Sequence, residues 1–233
     1  MIPLRDTIRS YSFPVVNWSI IVLNGAVFLY QVSLPSTQLQ TFIRTFGMVP
    51  SRISLTDPAS LFTLFSNMFL HGGWFHILSN MWILYIFGDN VEDRMGSGRY
   101  AIFYILSGLA ANSIQLLFAQ GSDIPVIGAS GAIAGVLGGY FLLFPRAKVT
   151  TLFLLFIFPW FIDIPAILYL GFWFVSQLYS GFSSLGMPSG AAMGGIAWWA
   201  HIGGFTFGLL MVNIFKRRHQ AYTRWYSDEY WPW

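Results

Sequence analysis

GASGAIAGVLGGYFLLFPR, residues 128–146, is the stretch that decides the fold. One hydroxyl, Ser130, opens a run of glycine, alanine and large apolar side chains that Pro145 and Arg146 close. The 15 residues from Ser130 to Phe144 are uncharged, as a hydrocarbon-bound helix requires. They nevertheless reach only about 22 Å into a core of about 30 Å. The run therefore reads as a short membrane helix whose start is sunk below one surface.

The rest of the chain agrees with a bilayer. Of 233 residues, 55% are hydrophobic and 9% charged, where a soluble domain carries about a quarter charged. Mean hydropathy is +0.60. Ten Trp, 11 Tyr and 23 Phe suit interfacial belts. The net charge of +3 does not indicate nucleic acid, because no basic run precedes Lys216. The absence of Cys excludes disulfides, thiol nucleophiles and Cys-ligated metal.

Hydropathy predicts six spans, near 15–34, 66–88, 100–119, 129–144, 165–182 and 197–215. The first follows Arg5 and Arg9 but is longer than a signal-peptide core and lacks a small-residue cleavage site, so it reads as a retained helix. TTLFLLFIFPWFIDI (150–164) is too short to cross and carries Pro159 and Asp163; it reads as an interfacial segment leading into the fifth span. With six spans, ten of the 12 Lys and Arg fall in the tails and even loops, leaving Arg44 and Arg52 in the odd ones. By the positive-inside rule both termini are then cytoplasmic. A seventh span would break that bias. The expected fold is all-α, a compact six-helix membrane domain over 15–215. A short N-terminus (1–14) and a basic, aromatic tail (216–233) flank it. The loop near 35–65 is semi-apolar and expected to lie in the interface.

Polar groups inside spans mark function unless packing explains them. Ser130, His76, Asn80 and His201 stand out. Ser130 lies 16 residues before Arg146, His201 16 before Arg217 and His76 16 before Glu92. Each thus sits about 24 Å from the cytoplasmic boundary, in one layer near the outer surface. Gly131, Gly135 and Gly139 on one helix, with Gly204 and Gly208 in register below His201 on another, allow close backbone approach. Glycine packing alone explains the small residues but not the polar groups that cap both stripes. A serine needs a base, and an imidazole is the usual one. A helix beginning at Ser130 offers free N–H groups to a developing oxyanion. His76 and Asn80, at i and i+4, face the same way. No Asp or Glu shares the layer, so the expectation is a Ser–His dyad without a third member. GASGA is not the elbow of α/β-hydrolases, and the spacing of His71 and His76 does not fit a zinc motif, so no metal or cofactor is expected.

HGGWFHILSNMW (71–82), VEDRMGSGR (91–99), GASGAIAG (128–135) and AHIGGFTFG (200–208), in this order, resemble the rhomboid intramembrane serine proteases. The resemblance implies Ser130 as nucleophile and His201 as general base, with His76, Asn80 and the Ser130 amide as oxyanion donors and Gly128 shaping that hole. It implies structural roles for Glu92, Arg94 and His71, the last also as an organiser of water, and matches Trp173 to a fifth-span aromatic at the substrate gate. The implied partners are single-span or other transmembrane protein substrates and the lipid bilayer, in the plasma membrane, with the site opening outward. Many members carry Trp-Arg in the first loop where this chain has Phe62-Thr63. Two alternatives stand beside the protease. A catalytically silent relative that escorts membrane clients would be marked by loss of the serine or histidine. A small transporter would be marked by a mid-membrane acid or paired broken spans; neither mark is found.

Overall fold

The computed structural model describes residues 2–155, 158–185 and 196–217. Among these, eight α-helices follow one another: α1 (Val15–Ser33), α2 (Ser36–Phe46), α3 (Pro58–Ser66), α4 (Trp74–Met95), α5 (Ser97–Phe118), α6 (Ser130–Leu143), α7 (Ala166–Ser184) and α8 (Trp198–Phe215). By length and composition α1, α5 and α8 can cross a membrane, and α6 is a shorter apolar helix. The tail beyond Arg217 lies outside the described residues.

The all-α expectation needs correction at two places. β1 (Ile2–Asp6), β2 (Lys148–Leu155) and β3 (Phe158–Pro165) form an antiparallel sheet in the order β1-β2-β3. Residues 148–165, which include the segment expected in the interface, form a hairpin. Its β-branched start alternates, with Ala147, Val149 and Thr151 buried and Lys148 exposed between them. Thr150 donates to its cross-strand partner Asp163 at 2.8 Å, which accounts for an acid in an apolar run. β1 arrives from the far end of the sequence and is pinned to α4 where Trp82 Nε1 donates to Pro3 O at 2.6 Å.

The second helix also begins later than 66–88. Apolar residues Met68 and Leu70 are buried in a separate turn, and α4 starts only after Gly72-Gly73. It then continues past the hydropathic limit to Met95, ended by Gly96 at φ +78°. That extension carries Glu92, which is buried but fully occupied. Its oxygens accept from Val16 N at 3.1 Å, Asn17 N at 2.7 Å and Ser97 Oγ at 2.6 Å. A carboxylate thus caps the N-terminal amides of α1 and ties α1, α4 and α5 at one end.

α6 occupies the centre, buried from Gly131 through Tyr140, and packs on α4, α5, α7 and α8. Against α8 the contact is backbone on backbone. A Cβ on Gly204 would run into the Gly131 carbonyl, and one on Gly208 into that of Gly135. Gly208→Ala is accordingly expected to destabilise by about 1–3 kcal/mol, as overpacking does. Gly98→Ala, where a Cβ meets nothing within 4 Å, leaves stability nearly unchanged. Thermal unfolding of the two variants in detergent gives the comparison, and equal midpoints would refute the close approach.

At the sheet end, Asp6 Oδ2 accepts from Asn90 Nδ2 at 2.9 Å and Tyr140 OH at 2.5 Å. Burial raises its carboxyl from 3.8 to about 8, against the opposing effect of the Tyr140 bond. Below about pH 4 both folded and unfolded chains hold this proton. Between about 4 and 8 only the folded chain does, so this group's stabilising contribution falls as pH rises and is gone above about 8. Asp6→Asn should flatten the decline in melting temperature between pH 5 and pH 8; an unchanged slope would remove Asp6 as its source.

Candidate active site

Three helices start in the same layer: Ser130 is the first residue of α6, His76 the third of α4 and His201 the fourth of α8. The loop that delivers Ser130 is held by amides. Asn67 and Asn112 bond reciprocally, at 3.2 Å and 2.8 Å, and Asn67 Nδ2 also donates to Val126 O at 3.3 Å. Gly128 N donates to Asn67 O at 2.9 Å. Gly128 stands at φ +129°, where a side chain would be strained. A Cβ there would lie 2.8 Å from His76 Cε1 and Nε2 and 3.7 Å from Ser130 Oγ. Glycine therefore keeps open the space between the His76 ring and the serine hydroxyl.

The α6–α8 approach brings Ser130 Oγ to 2.9 Å from His201 Nε2. Both residues are half-buried. The first intrahelical bond of α6 runs from Ile133 N to Ala129 O, so the Ser130 amide precedes the helical ladder and is available to a ligand. The start of α8 is fixed from α5, where Gln115 Oε1 accepts from Ala200 N at 3.1 Å. Trp173 of α7 lies beside His201, ring centroids 5.8 Å apart.

His76 Nδ1 accepts from Gly72 N at 3.3 Å. In the neutral ring this leaves the proton on Nε2, the atom that faces Gly128. Asn80, one turn further along the same face of α4, is buried, and its Nδ2 has no partner among the described residues. Two side-chain donors are thus unspent on the α4 wall. His71 is buried edge-on to His76 at 5.0 Å. Its backbone is clamped by Gln31, which accepts from His71 N at 3.0 Å and donates to His71 O at 3.2 Å. His71 thus backs His76 and lies behind the space that faces Ser130.

Glu92 and Arg94 are not in this group; they sit at the other end of α4, about 24 Å along the helix from His76. The first loop, which lacks Trp-Arg, is held by α3. Ser66 Oγ donates to Phe46 O at 2.6 Å, Asn112 Nδ2 to Leu64 O at 2.7 Å, and Thr63 is buried.

Sequence reasoning missed Gln177. On α7, its Oε1 lies 2.8 Å from His201 Nδ1. The available signal was an amide four residues after Trp173 in an otherwise apolar span.

A family model of the Rhomboid domain matches residues 58–218. Similar curated proteins include Rhomboid protein 1, mitochondrial, of Saccharomyces cerevisiae, 28% identical over 179 residues, 72% of this chain and 48% of that protein. Another is the presenilin-associated rhomboid-like protein, mitochondrial, of Mus musculus, 33% identical over 138 residues, 58% of this chain and 34% of that protein. A third is RHOMBOID-like protein 4 of Arabidopsis thaliana, 42% identical over 76 residues, 33% of this chain and 19% of that protein. The chain thus spans half or less of the length of these relatives.

Proposed function

This chain belongs to the rhomboid family, and on that premise we propose that it is an intramembrane serine endopeptidase acting on transmembrane protein substrates. The observation that carries the reading is the 2.9 Å contact between Ser130 Oγ and His201 Nε2 at the head of two glycine-packed helices. In this proposal His201 Nε2 takes the hydroxyl proton as Ser130 Oγ attacks a peptide carbonyl. The oxyanion that forms is met by the Ser130 amide, His76 Nε2–H and Asn80 Nδ2, donors fixed before the substrate arrives. Collapse of the tetrahedral intermediate breaks the C–N bond, and the imidazolium returns the proton to the leaving amine. Water, activated by the same base, then hydrolyses the acyl-enzyme.

A substrate helix has its carbonyls tied up in hydrogen bonds and must unwind before attack. Helix-destabilising residues near the outer interface should mark good substrates. The proposal retains six spans over 15–215, with both termini on the cytoplasmic side and the site toward the opposite face. For the compartment it keeps only the membrane itself, since relatives named as mitochondrial speak against the plasma-membrane expectation. A silent escort is the reading that a failed assay would favour.

A fluorophosphonate probe is expected to label the purified protein at Ser130 and to leave Ser130→Ala unlabelled. Equal cleavage of a single-span test substrate by wild type and Ser130→Ala would overturn the proposal. His201→Ala should slow acylation by orders of magnitude. Asn80→Ala should lower kcat by roughly 10- to 1,000-fold while the protein remains folded; a variant that loses only thermal stability would strike Asn80 from the oxyanion donors.

A further inference from the structure

We propose that Gln177 is a positioning residue that sets the tautomer and orientation of His201 through a neutral side chain, extending the Ser130–His201 pair into a three-membered hydrogen-bonded chain. The inference deepens the proposed protease reading and rests on it for its catalytic meaning.

The orientation of the Gln177 amide follows from its neighbours. Its Nε2 donates to Ser176 Oγ at 3.0 Å and to Trp173 O at 3.3 Å. Ser176 spends its own proton on Trp173 O at 2.6 Å and so has a lone pair to offer the amide. With both acceptors on the nitrogen side, Oε1 is the atom left facing the imidazole at 2.8 Å. An amide oxygen only accepts, so His201 Nδ1 must carry the hydrogen. In a neutral ring Nε2 is then a lone pair, and it is the atom 2.9 Å from Ser130 Oγ. The opposite tautomer would aim an N–H at the serine, where it could not act as base.

Gln177 is buried, 5% exposed. A carboxylate held there would need its charge compensated, and the residues recorded against the His201 ring from α6 and α7, Ser130, Trp173 and Gln177, carry none. Across the site α4 contributes the titratable ring of His76. An amide supplies the same directed acceptor without a buried charge. It also fastens α7, through Trp173 and Gln177 on one face, to the helix that carries the base.

The test uses the full chain in detergent. Gln177→Leu should slow fluorophosphonate labelling of Ser130 by roughly 10- to 1,000-fold with little change in melting temperature. Gln177→Glu, which keeps an oxygen acceptor toward Nδ1, should restore substantial labelling relative to Gln177→Leu. A glutamine that only packs would show no such difference between the two variants. Labelling of Gln177→Leu at the wild-type rate, or of Gln177→Glu no faster than Gln177→Leu, overturns the proposal. Should Gln177→Leu fail to fold, the His201 tautomer in the wild-type chain decides. ¹⁵N spectra of histidine-labelled protein, with His201 assigned by substitution, read the tautomer whether or not the chain is a protease. Wild type is expected with hydrogen on Nδ1, and hydrogen on Nε2 would overturn the assignment. Absent labelling of Ser130 alongside an Nδ1–H tautomer would instead count against the protease reading alone.

Discussion

Two helices meet backbone to backbone, and everything at the site depends on it. Gly204 and Gly208 of α8 pass the Gly131 and Gly135 carbonyls of α6 with no room for a methyl group. In hydrocarbon such contacts gain nothing from expelling water; they hold through packing and the polar edges of the backbone. The same approach fixes how far apart the first turns of α6 and α8 can be. Ser130 and His201 sit in those turns, so the hydrogen bond between them follows from the glycine register below. A larger residue lower in the interface would act on the site by separating the helices, without touching either side chain.

Legibility in the sequence divides along physical lines. The common depth of Ser130, His201 and His76 could be computed, because a helix rises by a fixed amount per residue and charged residues mark where it leaves the bilayer. The glycine stripes were visible for the same reason, at intervals of three and four. Hydropathy misplaced α4 because it cannot separate Met68 and Leu70, buried in a turn, from the helix after Gly73. It also stops at charge, and so could not follow α4 to Glu92, whose carboxylate is hydrogen-bonded by an amide of α1 that lies 75 residues away. The hairpin was hidden because LFLLFIF has no period that separates strand from buried helix, and because its partner β1 is more than 140 residues distant. Gln177 was hidden in another way. One amide in an apolar helix has many uses, and only its distance to Nδ1 distinguishes this one.

The two ends of the bundle handle polarity differently. At the sheet end, buried acids are satisfied in place: Glu92 by backbone amides and Ser97, Asp6 by Asn90 and Tyr140. These groups are spent on holding β1, α1, α4 and α5 together. At the other end Asn80 Nδ2 remains unpaired, and His76 presents a donor to space that Gly128 keeps open. An unspent buried donor destabilises a fold unless a ligand uses it. On the proposed reading, a substrate carbonyl would use these donors.

The shortness of α6 is what makes such a place possible. Fourteen residues cover about 21 Å, so roughly 9 Å of the hydrocarbon layer above Ser130 must be filled by something other than this helix. Irregular backbone is tolerated at that depth only where protein satisfies its polar groups. Residues 119–129 meet the requirement by pairing Val126 with Met48 in both directions, by Gly128 bonding to Asn67, and by the Asn67–Asn112 amides beneath. A longer helix would need no such network, but it would bury its first amides in its own ladder and carry the serine out to the surface. The amide cluster and the truncated helix are thus two halves of one arrangement, which brings a helix start, a hydroxyl and an imidazole together at one end of the bundle.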